Sequence, residues 1–181
     1  MDSSTLQVVI TYLVKHEWEQ NAEGVRLEEA GKLRTLAGQL ESIAEAKSYA
    51  RLDPMIVPDL GGQNLIDGLV ALAGRVIDRA AILQQDRSSI DCALERVMRH
   101  QRPSHKNEIK NSIHLEHYLE LARQLRAANY GEPCLFVSFN SKDFWAAVND
   151  QRIHPELQQD FADAGLTFCP RLEVAIRSLG I

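Results

Sequence analysis

The sequence predicts an α/β fold, and three observations predict it. Short apolar runs at Leu6–Ile10, Cys134–Val137 and Leu166–Cys169 have the length and composition of buried strands. The stretches between them carry apolar residues at helical spacing. Strands that alternate with helices imply a parallel sheet with helices packed on it.

The elements follow in order. Leu6 to Ile10 is rich in β-branched residues and reads as the first strand. Thr11 offers a hydroxyl to cap a helix from Tyr12 to about Tyr49, with Leu13, Trp18, Val25, Leu33, Leu36, Leu40 and Ile43 near helical spacing. Gly24, Gly31 and Gly38 weaken that helix and predict bends or close packing, so one bent helix or two are expected. Pro54, Pro58 and the Gly61-Gly62 pair predict a loop over 52–63. A second helix is expected over 64–85 and a third, capped by Ser88 or Ser89, to about His100. Pro103 interrupts, and a helix then starts within 107–111 and runs to Ala128. The Asn129–Pro133 turn leads into the strand at 134, and residues 143–149 read as a short helical turn. Pro155 suits the first position of a helix ending at Gly165, and a closing helix spans Arg171–Leu179.

Composition excludes several classes. At 181 residues the chain is long enough for one domain with a real core. It contains no apolar run near the 18 or so residues of a membrane span. No secretory leader is read at its start. Cys92, Cys134 and Cys169 are odd in number and widely spaced, which fits reduced thiols in the cytoplasm better than a disulfide framework. Twenty basic against 25 acidic residues give a net charge of −5, so bulk charge does not drive nucleic-acid binding. A bound divalent ion would bring its own positive charge to an acidic pocket. Locally, Arg96, Arg99, Arg102, Lys106 and Lys110, with His100 and His105, form a basic stretch that is either a solvated connection or a phosphate contact.

Two segments carry the candidate chemistry. Ser138-Phe139-Asn140-Ser141-Lys142-Asp143-Phe144 follows the 134–137 strand and places a hydroxyl, an amide and a carboxylate past its carboxyl end, where α/β sheets hold their chemistry. Lys110-Asn111-Ser112-Ile113-His114-Leu115-Glu116-His117 opens the helix before it. Asp143 is a ligand candidate or a helix cap. Glu17 is a ligand candidate or a solvated surface acid. Ser138 and Asn140 bind substrate or fix the turn, and Lys110 contacts phosphate or is an ordinary surface lysine. His114, Glu116 and His117 lack the further partners that a zinc site requires.

In order and spacing these segments resemble the PIN-like nucleases, a family of α/β/α domains found in RNA processing, toxin–antitoxin and defence systems. Gln7–Trp18 resembles the family's second strand and Glu-bearing helix, with Glu17 in the acidic position. Ser138, Asn140, Asp143 and Phe144 resemble its Thr/Ser-x-Asn-x-x-Asp-Phe strand end, and Asp163–Pro170 resembles its close. The resemblance covers roughly residues 6–24 and 105–175. It implies a single PIN-like three-layer α/β/α sandwich over 1–181, helix-rich, with a short parallel sheet and a helical insertion at about 24–104. It also implies a phosphodiesterase directed at RNA, with DNA as the alternative substrate, using Mg²⁺ or Mn²⁺. Glu17, Asn111 and Asp143 would be the catalytic positions, Glu17 and Asp143 the metal ligands, and Ser138, Asn140 and Lys110 the substrate contacts.

Two departures stand out. The family's Asp-Thr/Ser-Asn strand has no counterpart in Met1–Thr5, so the chain reads as truncated at its start or as a degenerate relative. Asn111 stands where the family carries Asp, by decay or by design. The expected domain is therefore inactive or impaired as written. Two other readings stay open: a non-catalytic PIN-like module that binds protein or RNA in a toxin–antitoxin or defence complex, and a helical α/β interaction domain without chemistry. A missing strand would also leave sheet edges that invite a protein partner or a second copy.

Overall fold

The computed structural model describes residues 6–59, 64–104, 109–147 and 149–180. The expectations placed on residues 1–5, on Gly61-Gly62 and on His105 and Lys106 lie outside them. The chain divides between Leu83 and Gln84 into two units, inside the 24–104 stretch read as an insertion.

The first unit is built around one long helix. Strand β1 (Val9–Thr11) runs straight into α1 (Tyr12–Tyr49). The Thr11 hydroxyl accepts from the Val14 N–H at 3.4 Å, as its side chain predicts. The 38 residues form one helix. Gly24, Gly31 and Gly38 face open space, so the expected close packing at the glycines is corrected. Helix α2 (Leu65–Arg79) follows and ends six residues before the expected Gln85. The difference is β2 (Ala81–Leu83), which pairs in parallel with β1 through Val9↔Ala81, Ile10↔Ile82 and Thr11↔Leu83. Among the described residues of this unit, only Thr11 and Ala80 are buried.

The second unit carries the core. Helix α3 (Arg87–Met98) is capped by Asp86, not by Ser88 or Ser89, because the Asp86 carboxylate accepts from the Ser89 N–H at 3.0 Å. Helix α4 (Ile109–Ala127) buries Ser112, Leu115, Glu116, Leu119 and Ala122, one face at three- and four-residue steps. Strand β3 (Cys134–Val137) pairs in parallel with β6 (Leu166–Cys169), and the register runs Cys134↔Leu166 to Val137↔Cys169. Between them lie α5 (Ser141–Phe144), the antiparallel pair β4 (Trp145–Ala147) and β5 (Asp150–Ile153), and α6 (Pro155–Ala164). Helix α7 (Leu172–Ser178) closes the unit. The helical turn expected over 143–149 thus stops at Phe144, where the chain turns into β4.

The fold is a mixture of helices and short strands, as expected, but the strands fall into three two-stranded ladders among the described residues. The centre of the second unit is aromatic. Phe136 on β3 lies 5.2 Å from Phe144, 5.6 Å from Phe161 and 5.5 Å from Tyr118, ring centre to ring centre. Leu115, Leu119, Leu157 and Ala164 complete this core and are fully buried. Gly165 ends α6 at φ +64°, the left-handed region that favours glycine. A Cβ there would lie 2.7 Å from Arg126 Nε. The Arg126 guanidinium donates to the carbonyls of Tyr130 (2.6 Å), Glu132 (3.0 Å) and Gly165 (2.9 Å), tying the end of α4 to the start of β6.

Candidate functional site

The polar cluster of the second unit is built at the carboxyl end of β3. The Ser138 N–H donates to the Cys169 carbonyl at 3.2 Å, so the β3–β6 ladder runs one residue past the strand. The chain then turns. The Asn140 N–H donates to Ser138 Oγ at 3.3 Å, and the Phe144 N–H donates to the Asn140 carbonyl at 3.1 Å. Asp143 is thereby placed one helical turn after Asn140 and is buried, with 6% of its surface exposed. From the other side, the first turn of α4 brings in Asn111.

Two amides meet one carboxylate. Asn111 Nδ2 and Asn140 Nδ2 each donate to Asp143 Oδ2 at 2.7 Å. Asp143 does not cap α5; it is the acceptor that orders both asparagines. These hydrogen bonds offset part of what it costs to bury a polar side chain. Ser138 holds the turn. Lys110 is exposed beside Asn111 on α4. Glu17 is half-buried on α1 of the first unit, and within the second unit Asn111, Asn140 and Asp143 are brought together.

Mg²⁺ and Mn²⁺ take oxygen ligands, and Mg²⁺ holds them at about 2.0–2.1 Å in near-octahedral order. Asp143 supplies oxygens of that kind, whereas the Asn111 and Asn140 amides turn their Nδ2 groups to it and would offer a ligand oxygen only from the other end of each amide. Among the described residues, no group of three or more His, Cys, Asp and Glu side chains gathers to hold a metal ion. An acid at position 111 would change the chemistry: a second carboxylate would stand within hydrogen-bond distance of the first and would need a cation or a proton between them.

Two of the three residues set aside as a zinc motif, His117 and Glu116, have structural roles. His117 is buried and uses both ring nitrogens: Nε2 accepts from the Asp86 N–H at 3.0 Å, and Nδ1 donates to the Ile113 carbonyl at 2.7 Å. Glu116 pairs with Arg96, whose guanidinium also reaches Asp160 at 2.7 Å and the Arg102 carbonyl at 3.0 Å. Burial opposes the charge on Arg96, but Glu116 and Asp160 outweigh it and hold the guanidinium above its ordinary pKa. Arg96 is therefore excluded as a phosphate contact. Arg99 pairs with Glu95 on the surface, and the Arg102 guanidinium donates to the Lys142 carbonyl, beside Asp143. Sequence reasoning missed the Arg96–Glu116–Asp160 group and the Arg102–Lys142 contact. The available signal was one cation and two acids on neighbouring helices, which become a group only when α3, α4 and α6 are packed together.

Compared with known proteins, the chain matches no protein-family model, no curated protein and no solved structure.

Proposed function

We propose that this chain is a PIN-like nuclease domain of the α/β/α sandwich type, directed at RNA in the cytoplasm and impaired as written. The observation that carries the reading is the 2.7 Å approach of Asn111 to Asp143 across 32 residues of sequence. These are two of the positions that the resemblance assigns to one acidic site. In this reading Asn111 is an amide in an acid's place, Asp143 is a remaining metal ligand, and Ser138, Asn140 and Lys110 hold substrate. Glu17 takes a ligand role that rests on the sequence alone. Mg²⁺ or Mn²⁺ would supply a bound water of lowered pKa and charge for the scissile phosphate. With two amide N–H groups on it, Asp143 acts at present as a hydrogen-bond acceptor.

That same hydrogen bonding favours a second reading. An Asp143 charge already met by two amides needs no cation, as suits a non-catalytic PIN-like module that binds RNA or protein in a toxin–antitoxin or defence complex.

Calorimetric titration of Mn²⁺ into the unmodified chain and into Asn111→Asp tests the site. Binding at least tenfold tighter in the variant is expected, and equal affinity would remove Asn111 from any metal site. Glu17→Ala in the Asn111→Asp background should weaken Mn²⁺ again if Glu17 is a ligand. Cleavage is tested on Asn111→Asp carrying an added amino-terminal strand that ends in Asp-Thr-Asn. Mn²⁺-dependent cutting of single-stranded RNA that EDTA abolishes is expected. A version that folds and binds Mn²⁺ yet cuts neither RNA nor DNA hands the case to the binding module.

A further inference from the structure

Of the five phenylalanines, four are buried or half-buried in the aromatic core and one is not. Phe139 is 67% exposed, and it stands inside the polar turn, between Ser138 and Asn140. Its backbone is held on both sides. The Ser138 N–H is bound to the Cys169 carbonyl, and the Asn140 N–H to the Ser138 hydroxyl at 3.3 Å. The Ser141 N–H donates to the Phe139 carbonyl at 2.9 Å. A large apolar ring is thus presented to solvent from a turn that hydrogen bonds have already ordered, so little further ordering would be needed to bind a flat ligand.

Two exposed lysines flank the polar cluster in sequence, although the chain is acidic overall. Lys142 is exposed three residues along, and the Arg102 guanidinium sits on the Lys142 carbonyl. Lys110 is exposed next to Asn111, whose amide meets Asp143. Proteins that engage single-stranded nucleic acid combine an exposed aromatic ring, which stacks a base, with cations that follow the backbone.

We infer that Phe139 is a stacking platform for an unpaired base of single-stranded RNA, with Lys110 and Lys142 contacting the flanking phosphates. The inference rests on the RNA-directed reading and adds to it the base-contacting residue. A paired base cannot reach such a platform without leaving its helix, so duplex RNA should not use it.

Fluorescence anisotropy tests it, in EDTA so that no cleavage intervenes. The probes are a labelled unstructured RNA decamer, the matching DNA decamer and a ten-base-pair RNA duplex. Near-UV circular dichroism checks that each variant keeps its core. Phe139→Ala should weaken binding of the RNA decamer about tenfold or more, and Phe139→Trp should keep it. Lys110→Ala and Lys142→Ala should each flatten the salt dependence, by about 0.7 in the log–log slope. Binding of Phe139→Ala equal to that of the unmodified chain overturns the inference. If the lysine variants nonetheless lose affinity, the RNA-directed reading stands without it. If DNA binds as RNA does, with the same loss in Phe139→Ala, the stacking role holds and the ring does not choose between the sugars. Binding of none of the three probes by the unmodified chain also overturns the inference, while the Mn²⁺ titration of Asn111→Asp still decides the acidic site.

Discussion

The two units of this chain hold their structure by different means. In the second, Phe136, Phe144 and Phe161 meet around fully buried Leu115, Leu119 and Leu157, and polar groups are placed by that packing. In the first, neither α1 nor α2 buries a residue. There the helix rests on its Thr11 cap and on exposed pairs along its own surface, such as Lys15–Glu19, Glu23–Arg26 and Glu28–Lys32. Exposed pairs of this kind contribute little. Where packing decides, single side chains should matter greatly; where local geometry decides, they should matter little, and glycines should be replaceable.

The sharpest way to break this comparison is Phe136→Ala. Loss of a buried aromatic side chain costs about 3–5 kcal/mol, so amides of α4 and β3 should lose most of their protection from hydrogen exchange. Leu36→Ala on α1, where the side chain is 46% exposed, should change protection by no more than about 0.5 kcal/mol. Hydrogen exchange is the suitable measurement, because a chain of two units need not unfold in one step.

Asn111→Asp comes next. Without metal it removes a donor from a buried carboxylate and sets a second carboxylate beside it, which should destabilise the second unit by about 1.5–3 kcal/mol. Millimolar Mn²⁺ should restore the melting temperature by mass action, and EDTA should lower it again. A variant as stable as the unmodified chain in EDTA would mean that position 111 tolerates charge without help.

Glycine substitutions sharpen the contrast in both directions. Gly165→Ala forces a Cβ into left-handed backbone and onto Arg126, and should cost about 1–2 kcal/mol in thermal denaturation. Gly24→Ala, Gly31→Ala and Gly38→Ala meet nothing, and each should stabilise α1 by about 0.5–1 kcal/mol. A loss of stability at those three positions would reveal packing on α1 that the fold does not account for.

The smallest effect concerns pH. The Ser88 hydroxyl, and then the Ser89 N–H, hold the Asp86 carboxyl below its ordinary pKa. A lowered folded pKa means that the ionised cap stabilises the fold above the unfolded value of about 3.9 and that this is lost as pH falls through the folded value. Asp86→Asn should therefore lower the melting temperature at pH 7, by an amount that shrinks as pH falls below about 4.

What could be read in the sequence was local. Thr11 as a cap, Pro155 at the first turn of α6 and Gly165 at its end each follow from a few neighbouring atoms. The meeting of Asn111 with Asp143 was expected from the PIN-like resemblance, which assigns both residues to one acidic site, and from no local signal. The rest needed packing. Ala81–Leu83 is too short to show alternation and continues the apolar content of α2, so β2 could not be told from helix. Trp145-Ala146-Ala147 suits a helix by propensity, and pairing with Asp150–Ile153 overrides it. His117 was set aside as a zinc ligand in the sequence, but the partner that each of its nitrogens finds, at the start of α3 and on α4, needed the fold.

The junction at Thr11 has a mechanical consequence. Strand and helix meet there with no residue between them, and α1 extends about 57 Å from that point at 1.5 Å per residue. A rod of that length rooted at one end is a lever: a change of about 10° in direction at Thr11 displaces the far end, at Tyr49, by about 10 Å. The hydroxyl that caps the first turn therefore also aims the last one.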